Sequence, residues 1–133
     1  MSQFMAKEWL KASKIDLDSI GYIIQVEHLT TVVAFHAQQS VEKALKALIV
    51  SKDITVPKIH ALNKLFALVK DDLKVEGFEM IDMLDDLYIE SRYPGDLGLL
   101  PHGQPTLDDT QELYAFAKNI YAQVAKLLNI QEV

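Results

Sequence analysis

The chain has 133 residues, half of them hydrophobic, and 13 basic side chains against 19 acidic ones for a net charge of −6. That length predicts one domain over residues 1–133, with enough chain to bury its own core. The lack of cysteine excludes disulfides, thiolate zinc sites and thiol nucleophiles.

Apolar runs such as Val32–Phe35 and Ala47–Val50 are four residues long, far short of the roughly 18 that a membrane span needs. The opening Met1-Ser2-Gln3-Phe4 has neither a basic nor an apolar leader region, so no signal peptide and a cytoplasmic location are expected. The acidic balance argues against a DNA coat or other general nucleic-acid coat, which needs a basic face. The charge is uneven: residues 1–70 carry +3, residues 71–90 carry −7 and residues 91–133 carry −2. The acidic block reads as a solvated helix face. Twelve of the thirteen basic residues are lysine, and Arg92 is the only arginine.

Helical periodicity dominates the chain from its start. Met5, Trp9, Ala12, Ile20 and Ile24 fall in one row, with Asp16 among them. Ala34, Ala37, Val41, Ala44 or Leu45, and Leu48 then repeat by threes and fours over about 22 residues, or roughly 33 Å of helix. After Pro57 comes a short apolar segment with Leu62, Leu65, Phe66 and Val69. A fourth segment sets Ile81, Leu84 and Tyr88 against Asp82, Asp85, Asp86 and Glu90, and must end before Pro94. Gly95–Pro105 reads as a loop. Thr106 is placed to cap a last helix carrying Leu113, Ala117, Ile120, Val124 and Leu127, with Asp108 and Asp109 in its first turn. No window alternates with period two. The expected fold is all-α, an antiparallel up-and-down helical bundle of four long helices and one short one.

Chemistry has few places to sit. His28, His36, His60 and His102 are scattered, none at the i, i+4 spacing of paired ligands, so no metal site or cofactor is expected. There is no glycine-rich phosphate loop and no serine elbow. On the second helix His36, Gln39 (or Ser40) and Lys43 line one side, with Glu42 and Lys46 beside them as an i, i+4 pair. That stripe is either a polar seam between helices or a groove able to receive phosphate or a base edge. Asp16 in an apolar row needs a partner, and Lys43 or His36 on the neighbouring helix would serve. Tyr88 and Arg92 are four apart on one helical face. Arg92 either sits at a helix C-terminus, pairing with a carboxylate such as Asp16 or Asp85, or grips a phosphate with its planar fork.

At these segments the chain resembles the HEPN domain family. Phe35-His36-Ala37-Gln38-Gln39-Ser40-Val41-Glu42-Lys43-Ala44-Leu45-Lys46-Ala47-Leu48 is similar to its second-helix signature. Trp9 with Ala12, Asp16 and Leu17 looks like its opening, Ile59-His60-Ala61-Leu62 like its third-helix start, and Ser91-Arg92-Tyr93-Pro94 like its "RYP" element, over residues 4–128 in all. The resemblance implies a bundle that forms a homodimer. In prokaryotes it also implies a two-component, toxin–antitoxin-like module with a minimal nucleotidyltransferase as partner, and binding of a nucleotide or RNA. The nucleotide groove would be lined by Asp16, His36, Gln39, Lys43, Tyr88, Arg92 and Tyr93. Lys43 and Arg92 would hold phosphate, and Tyr88 or Tyr93 would stack on a base. Many relatives are metal-independent RNases with an Arg and a His separated by four to six residues, acting across the dimer. Here Arg92 and His102 have nine residues between them, with Leu97-Gly98-Leu99 where a nearer histidine would fall. An RNase alternative would use Arg92 and His102 as its catalytic pair, and a third expectation is a purely structural dimeric subunit.

Overall fold

The computed structural model describes residues 2–76, 78–91 and 104–129. Among these residues five α-helices follow in order, α1 (Ser2–Ile23), α2 (Thr30–Ser51), α3 (Leu62–Ala67), α4 (Glu79–Ser91) and α5 (Leu107–Leu127), with a 3₁₀ turn at Glu27–Leu29. Four are long, α3 has six residues, and no strand occurs among the described residues, so the all-α bundle is the observed fold.

Helix α2 is the centre of the bundle. It packs against α1, α3, α4 and α5, and from Ala37 to Ile49 only Gln39 and Lys43 escape full burial. Its predicted row (Ala34, Ala37, Val41, Ala44, Leu45 and Leu48) is wholly in the core, where each large aliphatic chain contributes roughly 1.5–3 kcal/mol by leaving water. A helix apolar on most of its circumference can be stable only when surrounded. That explains why the other long helices collect on it.

Along α1 the inward row is Ala6, Leu10, Ser13, Leu17 and Ile20; of the row that the spacing suggested, Ile20 and Asp16 are buried and Trp9 packs against the core, but Met5 does not turn inward. Met5 is 42% exposed, and Ile24 lies beyond the helix end. The two rows are adjacent on the helix surface, and polar Ser13 broke the apolar pattern of the true one. Ser13 is buried because its hydroxyl donates to the Ser40 carbonyl at 2.8 Å and lies 2.9 Å from the Ser40 hydroxyl. These two small residues let α1 and α2 approach closely.

The helix ends have local causes. At the end of α2, Asp53 takes a left-handed φ of 59°. Its N–H donates to the Val50 carbonyl, and the Ile54 N–H reaches back to Ile49. This is a Schellman closure in which Ile54 folds onto the core. Helix α5 starts on a capping box: the Asp109 N–H donates to Thr106 Oγ1 at 3.0 Å, and the Thr106 N–H donates to the Asp109 carboxylate at 2.9 Å. Thr106 is thus the cap that its position suggested. Its row of Leu113, Ala117, Ile120 and Val124 is buried, while Leu127, expected in that row, is half exposed. The segment before α4 is pinned to α5 by Gln123, whose side-chain amide both accepts from the Lys74 N–H (2.8 Å) and donates to the Lys74 carbonyl (2.9 Å). Among the described residues no helix is long and apolar enough to cross a membrane.

Candidate functional site

Two polar clusters flank α2, one towards α1 and one towards the connection that leads into α3. The first is built on Asp16 of α1, whose side chain is 8% exposed. One carboxylate oxygen lies 2.8 Å from His36 Nδ1, and the other accepts from Lys43 Nζ at 2.7 Å. His36 and Lys43 are seven residues apart, two turns of α2, so both reach the same point on α1. The carboxylate is desolvated but satisfied, and its two partners remain 29% and 26% exposed. With Nδ1 committed to Asp16, the His36 ring has a fixed orientation and a second nitrogen, Nε2, for other contacts.

The second cluster is built on Glu42. Its carboxylate accepts from Lys46 Nζ at 2.9 Å and from Gln38 Nε2 at 3.2 Å, and His60 Nδ1 lies 3.2 Å from both of its oxygens. Gln38 also donates to the His60 carbonyl at 3.2 Å and accepts from Gln39 Nε2 at 2.7 Å. The Glu42–Lys46 pair is therefore no surface pair: its side chains are 6% and 7% exposed, and the Lys46 ammonium lies 5.4 Å from the centre of the Trp9 ring.

An aromatic row crosses the same side of the bundle. His36 meets Phe35 edge-on at 5.6 Å, Phe35 stacks on Tyr88 of α4 at 6.3 Å, and Tyr88 lies 5.3 Å from His60. Beside its far end is a recess of about 290 Å³ lined by His60, Ala61, Asn63, Asp85 and Tyr88. Asp85 was expected on the solvated acidic face. It is instead half buried and accepts the Leu62 N–H at 2.7 Å and the Asn63 N–H at 3.3 Å, supplying from α4 the cap that α3 lacks.

Burial raises the Asp85 pKa, the two backbone donors oppose that shift, and neighbouring Asp82 and Asp86 add to it. A carboxyl with a raised pKa in the folded state supports folding while protonated. That support is complete below the ordinary value of 3.8 and is lost as pH rises through the raised one. Asp85→Asn cannot ionise, so it is expected to gain stability relative to the native chain as pH increases across that window. Urea denaturation of both proteins at a series of pH values checks this, and parallel stability curves would refute it.

Of the residues singled out from sequence, the structure brings Asp16, His36 and Lys43 into direct contact. Gln39 is placed beside them but bonded to Gln38. Tyr88 joins through Phe35. Arg92, Tyr93 and His102 lie outside the described residues. Glu42, Lys46, Gln38, His60, Asn63 and Asp85 complete the polar surroundings. Glu42 and Lys46 were legible as an i, i+4 pair on α2, whereas Gln38 on the same helix and His60, Asn63 and Asp85 from other segments are joined to the site by tertiary approach. No group of three or more His, Asp or Glu among the described residues is arranged to hold a metal ion. A larger hollow, about 830 Å³ between the 72–76 stretch and α5, is remote in sequence from these clusters. Its rim charges, Asp72 and Glu76 against Lys74 and Lys126, balance.

A protein named "Putative toxin MJ1304" from Methanocaldococcus jannaschii is 26% identical over 136 aligned residues, covering 92% of this chain and 88% of that protein. The crystal structure of TT1696 from Thermus thermophilus superposes with a TM-score of 0.71 at 24% identity, covering 91% of this chain and 96% of that one. That agreement establishes the fold. The family model of the HEPN domain matches residues 6–127, which include both polar clusters and every helix core, and the chain belongs to the HEPN domain family.

Proposed function

We propose that this chain is a nucleotide-binding or interaction module of a toxin–antitoxin-like system, working as a homodimer and as the helical partner of a minimal nucleotidyltransferase. The observation that carries the reading is the Asp16-centred cluster. A lysine and a histidine side chain are oriented by one buried carboxylate, yet each keeps about a quarter of its surface in water. Lys43 uses one of three ammonium donors on Asp16, so the other two are available to phosphate oxygens. The Phe35–Tyr88 stack beside it suits a base. The toxin designation of the Methanocaldococcus relative supports the two-component setting.

Calorimetric titration with ATP, GTP and a short RNA tests this, run beside Arg92→Ala and Lys43→Met. Saturable binding that is lost in either variant, with helicity unchanged by circular dichroism, is the expected result. Flat traces for all three ligands with the native chain would overturn the nucleotide reading.

A further inference from the structure

We infer that the recess between the start of α3 and α4 is a nucleobase subsite, in which Tyr88 and His60 offer ring faces and Asn63 with Asp85 reads the base edge. The inference rests on the nucleotide reading above and deepens it, because the recess lies outside the Asp16 cluster and, apart from Tyr88, draws on residues not counted in the groove.

Size and shape come first. A volume of about 290 Å³ sits at the bottom of the range of roughly 300–1,000 Å³ found for small-molecule pockets. It suits one ring system rather than a whole cofactor. Its rings are already immobilised, which lowers the entropy lost on stacking a ligand. His60 is held by Glu42 through its Nδ1 and by Gln38 through its carbonyl, and Tyr88 is braced on its other side by Phe35. His60 is nevertheless about half exposed, so one ring is within reach of an incoming base. Stacking on such a platform is available to every base, since each has a π face.

The edge chemistry suits a hydrogen-bonding heterocycle. The Asn63 carboxamide oxygen accepts from the Lys64 N–H at 2.9 Å, which fixes the amide and leaves its NH₂ donors without a protein partner among the described residues. The Asp85 oxygens each accept one backbone N–H and retain a second lone pair. A donor therefore stands beside an acceptor on one wall. Nucleobases present the complementary arrangement, a ring or carbonyl acceptor next to an amino or imino donor, whereas the ionised phosphate oxygens offer acceptors alone. Half-burial also keeps the Asp85 carboxyl less willing to ionise than an ordinary one, which suits a neutral base better than a cation.

The test measures dissociation constants for AMP, CMP and ribose 5-phosphate with the native chain, Asn63→Ala, Tyr88→Leu and Tyr88→Phe. AMP and CMP are expected to bind at least about 10-fold more tightly than ribose 5-phosphate. Tyr88→Leu is expected to remove that advantage, Asn63→Ala to reduce it several-fold, and Tyr88→Phe to keep it. Ribose 5-phosphate affinity should be the same in all four proteins. Asn63 is exposed, so its variant remains informative if Tyr88→Leu fails to fold. Nucleotide binding indifferent to both Asn63→Ala and Tyr88→Leu would overturn the subsite while the nucleotide reading stands. No binding of AMP or CMP to the native chain would overturn both.

Discussion

Replacing Glu42 by alanine is expected to lower the unfolding free energy by about 3–5 kcal/mol, the usual cost of removing one partner from a buried ion pair. The loss comes from what remains. The Lys46 side chain is 7% exposed, so its ammonium would keep its desolvation penalty without the carboxylate that offsets it. The Trp9 ring at 5.4 Å returns only about 0.5–2 kcal/mol. Gln38 and His60 would also lose their acceptor, loosening the connection into α3. For a chain whose total stability is on the order of 5–15 kcal/mol, this is a large fraction, equivalent to a fall in Tm on the order of 10–20 °C. Urea denaturation followed by fluorescence of Trp9, the sole tryptophan, measures it directly. The double replacement Glu42→Leu with Lys46→Met is expected to recover most of the loss, since apolar groups of similar volume need no partner. A cost under about 1 kcal/mol for Glu42→Ala would mean that Lys46 finds water, and would refute the buried-pair account.

Asp16→Ala follows the same logic with a smaller effect, about 2–4 kcal/mol. Its partners His36 and Lys43 are 29% and 26% exposed, so each turns partly to solvent once the carboxylate is gone. Asp16→Asn separates charge from geometry, because it keeps an acceptor for one partner while removing the attraction to both. It is expected to fall between the native chain and the alanine variant. The expected signature beyond stability is at His36, whose ring loses its anchor at Nδ1. The imidazole resonances should shift and broaden in both variants, and unchanged resonances would show that Asp16 does not orient the ring.

The bundle was legible because its core obeys helical spacing. The rows of α2 and α3 and most of α5 were read at the correct positions, as was the Thr106 cap, since local chemistry determines both. On α1 the expected row met the core at Ile20, Asp16 and Trp9 but missed Ala6 and Leu10, because buried Ser13 looks like a surface residue until Ser40 is known to face it. The need of Asp16 for a partner, and its supply by His36 and Lys43, followed from the cost of an unpaired buried carboxylate. Asp85 was misplaced for the converse reason. In a run of acids, nothing local distinguishes the one that turns inward to meet backbone N–H groups from a segment more than twenty residues away. His60 was seen as an isolated histidine because its carboxylate, Glu42, is eighteen residues earlier in the chain. Such pairings depend on tertiary approach, which periodicity does not encode.

The cap that Asp85 provides has a consequence for how the protein breathes. Helix α3 has six residues, too few to persist alone, since isolated helices shorter than about 12–15 residues are marginal in water. Its first two amides are held by a side chain that belongs to α4. Whenever α4 lifts away, those amides lose their acceptor and α3 has nothing of its own to retain its first turn. The two helices thus form one cooperative opening unit, and solvent deuterium reaches Leu62 and Asn63 on the schedule of α4 rather than of the central helix they lean against.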